Sequence, residues 1–244
     1  MKKIRITRSV IPNLFTAMNM FCGFLSIINA SNKEFILASW LIFIAAVFDA
    51  LDGMVARLTK SSSALGVQLD SLSDVVSFGV APSYLIYMTY LNQPQFGTLG
   101  IIISSFLMIA GGFRLARFNV QLVGFDKSYF SGVPIPLQAI TIASFILVYY
   151  KGGAIEEPYA QFVIPMVILL SLLMVSTIKY DTLPKISKKE IRQKPFHFIF
   201  LILAIIALAV TEGKALFFLF IFIIGFGIIR YIFNIFKPDT TKRT

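Results

Sequence analysis

At 244 residues, 57% hydrophobic and with a mean hydropathy of +0.81, the chain is too apolar to keep a wettable surface as a soluble domain. Its apolar runs approach the ~20 residues a helix needs to cross a bilayer and show none of the alternation of barrel strands, so a polytopic all-α membrane protein is expected. A net charge of +10 could serve nucleic acid in a soluble protein, but here the basic residues fall at the ends of the apolar runs, which points to topology and excludes a nucleic-acid role.

Eight transmembrane spans are predicted, at 10–29, 35–56, 69–91, 98–118, 133–150, 160–178, 195–211 and 214–236. With the N-terminus in the cytoplasm, nineteen of the 22 Lys and Arg residues lie in cytoplasmic segments; only Lys33, Lys151 and Lys214 lie outside. The positive-inside rule therefore predicts that both termini are cytoplasmic, in the cytoplasmic membrane of the cell. The linker KYDTLPKISKKEIRQK is expected to be a basic cytoplasmic loop that also faces anionic headgroups. Three parts follow: a six-helix core over 1–180, the basic loop over 181–194, and two further helices with a tail over 195–244. The lone Cys22 excludes an internal disulfide and reads as a packing residue. His197, the single histidine, reads as an interfacial side chain rather than a ligand.

Between the second and third spans the apolar pattern breaks at DALDGMVARLTKSSSALGVQLDSLSD, residues 49–74. Asp49 and Asp52 fall about 60° apart on one helical face, with Ala56 one turn further on, and Asp70 and Asp74 form an i,i+4 pair on the next helix. A short turn through Ser61, Ser62 and Ser63 sets the two pairs against each other. Intramembrane carboxylates are costly and mark function. Three remedies for their repulsion are open: divalent metal, ion pairing with Arg57, Arg114 and Arg117, or protonation in a relay such as a cation or proton-coupled transporter would use. Carboxylate ligands without nearby His or Cys suit Mg²⁺ or Mn²⁺ rather than zinc, and two such ions can clamp a pyrophosphate. Gly53 and Gly66 leave room beside the backbone, and Arg57 offers a forked cation to phosphate.

The full spacing, D-x2-D-G-x2-A-R-x8-G-x3-D-x3-D, resembles the signature of the CDP-alcohol phosphotransferase family at all eight of its positions. The resemblance implies Asp49, Asp52, Asp70 and Asp74 as ligands of two divalent ions, with Asp74 also the general base. It implies a CDP site lined by Gly53, Ala56, Arg57 and Gly66 together with Asp49, to which Ser63 adds a polar contact. Asn13 and Thr16, three apart at the cytoplasmic end of the first span, extend that site; as residues alone they serve equally as helix caps or interhelical hydrogen bonds. An alcohol hydroxyl would attack the lipid-side phosphorus of a CDP-linked lipid and expel CMP. Direct displacement is expected, since the single histidine lies far from the cluster.

The acceptor alcohol must be read elsewhere. PNLFT, FCGF, RLARFN and YFSGVPIP together resemble the membrane-embedded phosphatidylserine synthases of bacteria and archaea, over about residues 8–138. That resemblance implies CDP-diacylglycerol and L-serine as substrates, a serine pocket at or beside Arg114, Arg117, Phe118, Asn119, Phe130 and Gly132, and a homodimer in the lipid bilayer. A sister enzyme using glycerol 3-phosphate, inositol phosphate or choline is the nearest alternative, because arginines also suit a phosphorylated acceptor.

Overall fold

The computed structural model describes residues 10–59, 63–121, 129–181 and 214–236. The expected seventh span at 195–211, with His197, lies outside them, as do most of the basic linker and the basic residues before Val10. Within the described residues the chain is mostly helical, and three helices are long and apolar enough to cross a membrane: α1 (Val10–Ser31), α2 (Phe35–Thr59) and α5 (Gly97–Gln121). Shorter apolar helices follow: α6 (Ile135–Tyr149), α7 (Val163–Val175) and α8 (Lys214–Phe236).

The third predicted span starts earlier than its hydropathy indicated. Ser63, extended at φ −131°, caps α3 (Ala64–Asp74) by accepting a hydrogen bond from Gly66 N at 3.0 Å, so the helix begins in polar sequence that a hydropathy window passes over. The rod then continues to Leu91 as a π-helical stretch (Val75–Val80), α4 (Ala81–Ile86) and a second π-helical stretch (Tyr87–Leu91). At the first stretch the Ala81 amide bonds back to the Val76 carbonyl, five residues earlier. Pro82 follows at once, where the missing N–H and the ring favour a widened turn over a regular one. This wide turn starts at the residue after Asp74.

The α1–α2 hairpin closes at Lys33, which takes a left-handed φ of 65° while Glu34 N bonds to Asn29 O at 2.9 Å. Ser26 Oγ donates to Ala38 O at 2.8 Å across the two helices, where Ala30 and Ala38 are fully buried. At the other end of α6, Tyr150–Lys151 (β2) and Ala154–Ile155 (β3) form a hairpin through Gly152 and Gly153, both at positive φ, as a two-residue turn of matching twist requires. Tyr129–Ser131 (β1) pairs antiparallel with Lys179–Asp181 (β4). The α8 helix packs on α6, with Phe217 edge-on to Phe145 and Tyr149. The core runs between α2, α4, α5, α6 and α7.

A close approach brings α1 onto the first π stretch. A Cβ on Gly23 would overlap Ser77 Oγ and lie 2.6 Å from Ser77 Cα, a backbone atom that cannot step aside. Two serines fasten the same contact: Ser73 Oγ donates to Thr16 O at 3.0 Å and Ser77 Oγ to Asn19 O at 2.8 Å. Gly23→Ala should therefore lower stability in detergent, since overpacking costs about 1–3 kcal/mol against a helix-propensity gain of about 1 kcal/mol. The melting temperature of the purified variant checks this; an unchanged or raised value would contradict the contact.

Candidate active site

Carboxylates of two elements converge beside this contact. Oxygens of Asp49 on α2 and of Asp70 and Asp74 on α3 all lie within 4.8 Å of one another. Asp74 is buried, while Asp49 and Asp70 are half-buried. The spacing explains the meeting: Asp70 and Asp74 are one turn apart on α3, and α2 presents Asp49 to that face. Such a triangle of hard oxygen donors fits a divalent cation such as Mg²⁺ or Mn²⁺.

Asp52 stands apart from the triangle, one turn along α2. It is 6% exposed and accepts a hydrogen bond from Thr16 Oγ1 at 2.9 Å. Thr16 Oγ1 also lies 3.2 Å from Pro12 O, but its single proton is better spent on the nearer, charged acceptor. Asp52 also feels the charges of Asp70 and Arg57.

Asn19 was not among the expected site residues. Its Nδ2 donates to Asp74 Oδ1 at 3.4 Å, and the residue is fully buried. The helical spacing of Asn13, Thr16 and Asn19 was the available signal, since residues three apart share a face. The face is continuous: Thr16 holds Asp52, Asn19 holds Asp74, and their own carbonyls are held by Ser73 and Ser77.

The expected CDP-site residues gather toward the α2–α3 turn. A Cβ on Gly66 would lie 3.1 Å from Ser63 Oγ and 3.5 Å from Asn13 Oδ1, so α1 and the start of α3 meet there. Ser63 is engaged as the cap of α3. Arg57, exposed, reaches back along α2, its Nη1 3.4 Å from where a Gly53 Cβ would stand. Ala56 is half-buried on the same helix, between Gly53 and Arg57.

The residues expected around the acceptor divide into two groups. Arg114, 6% exposed, lies near enough to Asp74 for their charges to interact, and Asn119 Nδ2 donates to Ser71 Oγ at 2.9 Å; both therefore face the aspartate-bearing rod. Arg117 instead donates to the last carbonyls of α7, Val175 O at 2.9 Å, Ser176 O at 3.2 Å and Met174 O at 3.4 Å. A guanidinium there satisfies carbonyls that the helix leaves unpaired and opposes the negative end of its dipole. Gly132 meets the same helix end: at φ 81° its N–H donates to Ile178 O at 2.8 Å, and a Cβ would overlap Met174 O. Phe130 lies in β1 opposite Tyr180 of β4. Phe118, half-buried, stands between Arg117 and Asn119 on α5.

The structure thus sets an aspartate cluster of two helices against a polar face of a third and a buried arginine. Residues 9–178 match the CDP-alcohol phosphatidyltransferase family, and the chain belongs to that family. Among its relatives, a CDP-diacylglycerol–serine O-phosphatidyltransferase of Helicobacter pylori is 38% identical over 226 residues, covering 93% of this chain and 92% of the relative. One of the same name from Methanocaldococcus jannaschii is 35% identical over 224 residues, 91% of this chain and 94% of the relative. An archaetidylserine synthase of Methanothermobacter thermautotrophicus is 40% identical over 172 residues, 70% and 69% of the two chains.

The triangle makes a prediction that separates its members from Asp52. Asp49→Asn and Asp70→Asn should each weaken divalent-cation binding by about tenfold or more, as expected for loss of a charged ligand, whereas Asp52→Asn should weaken it less. Titration of the purified protein with Mn²⁺, followed by electron paramagnetic resonance, measures this. Equal losses in all three would place Asp52 among the ligands of the same ion.

Proposed function

We propose that the protein transfers the phosphatidyl group of CDP-diacylglycerol to the hydroxyl of L-serine, giving phosphatidylserine and CMP. The observation that carries this reading is the meeting of the Asp49, Asp70 and Asp74 carboxylates beside the buried Arg114, in a chain whose relatives with near full-length coverage are named for that activity. Family membership and those names favour the transferase over a transporter.

In this mechanism Asp74 takes the proton of the acceptor hydroxyl as its oxygen attacks the lipid-side phosphorus and the bond to the CMP oxygen breaks. Asn19 Nδ2 donates to Asp74 Oδ1 and so fixes the orientation of the carboxylate that meets the hydroxyl. Asp49, Asp70 and Asp74 would hold divalent metal, with Asp52 supporting a second ion, and metal bound there would supply positive charge to offset that of the pyrophosphate. Asn13, Ser63 and Gly66 line the nucleotide side, and Gly53 lets Arg57 lie close to phosphate. Arg114 supplies a cation for the serine carboxylate, with Asn119 beside it. Arg117 and Gly132 shape the pocket from behind by holding the end of α7 against α5, and Phe118 and Phe130 complete the proposed serine site.

The same reading assigns residues 1–180 to the catalytic membrane core, 181–194 to a basic loop and 195–244 to two added helices and a tail. It places the site and both termini on the cytoplasmic side of the cell membrane, where the basic segments lie, and pairs the chain as a homodimer.

Purified protein given labelled CDP-diacylglycerol with L-serine, glycerol 3-phosphate, inositol phosphate or choline tests the assignment. Lipid product and CMP are expected with serine only, and EDTA should stop both until Mg²⁺ or Mn²⁺ is restored. Product with glycerol 3-phosphate and none with serine would replace serine by the phosphorylated alcohol. Asp74→Asn should reduce turnover by at least about a hundredfold, within the range general-base loss produces, while CDP-lipid binding stays near that of the wild type. A matching loss of binding would leave Asp74 as a ligand only, with no role as the base.

A further inference from the structure

Asn19 has one feature that its hold on Asp74 leaves unused. Its Oδ1 is buried and has no hydrogen-bond partner among the described residues, although the side chain is fully enclosed. An acceptor in such a place costs about 1–3 kcal/mol when unpaired, so Asn19 Oδ1 offers a strong position for a hydrogen-bond donor. The orientation of the amide is set by chemistry: turned the other way, its oxygen would face the Asp74 carboxylate and two acceptors would oppose each other. The carboxamide is also held in place from behind, since Ser77 Oγ binds the Asn19 carbonyl and Gly23 lets α1 sit on Ser77.

We infer that Asn19 is an acceptor-binding and positioning residue: its Nδ2 orients Asp74, and its Oδ1 receives the ammonium group of the zwitterionic alcohol. The inference rests on serine being the acceptor. Around Asp74 the protein then offers three complementary groups. The carboxylate meets the hydroxyl, Arg114 on α5 meets the acceptor's carboxylate, and Asn19 on α1 meets its ammonium. A phosphorylated alcohol without an amine would leave Asn19 Oδ1 unpaired, and the protein would discriminate against it for that reason. Selection by a buried polar group that only one substrate satisfies is stronger than selection by shape.

The test compares Asn19→Ala with the wild type in three measurements: KM for L-serine, KM for CDP-diacylglycerol, and KI for 3-hydroxypropionate, which is serine without its amine. Loss of one charge-assisted hydrogen bond should raise the serine KM by about tenfold or more. The CDP-diacylglycerol KM and the 3-hydroxypropionate KI should each stay within about twofold, because neither ligand uses Oδ1. If serine and 3-hydroxypropionate weaken together, or if serine binding does not change, the ammonium contact is wrong. Should Asn19→Ala fail to fold, Asn19→Asp keeps the size and the acceptor oxygen while removing the N–H. It should hold the serine KM within about threefold and lower kcat by about tenfold, the effect of a mispositioned base; a raised serine KM with unchanged kcat overturns the inference. A wild type that makes no lipid from serine removes the proposed function itself, and that failure appears before any variant is made.

Discussion

Everything in this bundle depends on bringing three carboxylates together in an apolar setting and keeping them there. Asp49, Asp70 and Asp74 have oxygens within 4.8 Å of one another, a separation at which like charges repel strongly where water is scarce. Close packing alone does not hold such a group. The protein holds it with a third helix, α1, which contributes no carboxylate but supplies hydrogen bonds to Asp52 and Asp74 through Thr16 and Asn19.

That third helix is itself held by backbone contacts. Ser73 and Ser77 lie one turn apart on the rod that bears Asp70 and Asp74, and each reaches a carbonyl of α1. The rod changes to π geometry directly after Asp74, and Gly23 removes the side chain that would keep α1 away from the widened turn. Local irregularity in the helix and close approach of its neighbour are thus one arrangement. Its product is a face of α1 aimed at the acids, where small misplacements are felt most strongly.

The second arginine of the RLAR segment shows how a functional resemblance and a structural role can share a residue. Arg117 caps α7 through three carbonyls, and Gly132 meets the same helix end from another direction. Both fasten α7 to the helix that carries Arg114. Arg114, three residues earlier, lies on the side of α5 toward Asp74. Two arginines at i,i+3 therefore differ in role: one stands toward the aspartates, the other braces the end of α7.

Much was legible without coordinates, and for local reasons. Membrane residence follows from composition, and the aspartate frame follows from helical periodicity, because residues three or four apart must share a face whatever the fold around them. Asn13 and Thr16 were singled out in the same way, as was Ser63 in the turn before α3. What periodicity could not supply was any relation between helices. Asn19 reads in isolation as an ordinary polar packing residue, and Ser73 and Ser77 as fillers of a helix contact. Only their placement against Asp74 and the α1 carbonyls separates those readings. The same holds for Asp52, equal to its neighbours in spacing yet paired with Thr16 instead of joining the triangle, and for Arg117, whose partners lie 57 to 59 residues further along the chain. The sequence alone determined that carboxylates would line one membrane helix pair, because that is set by residue type and a fixed turn angle. The tertiary structure decided which of them meet, which side chains hold them and which arginine faces them, because those are contacts between helices that no local repeat encodes.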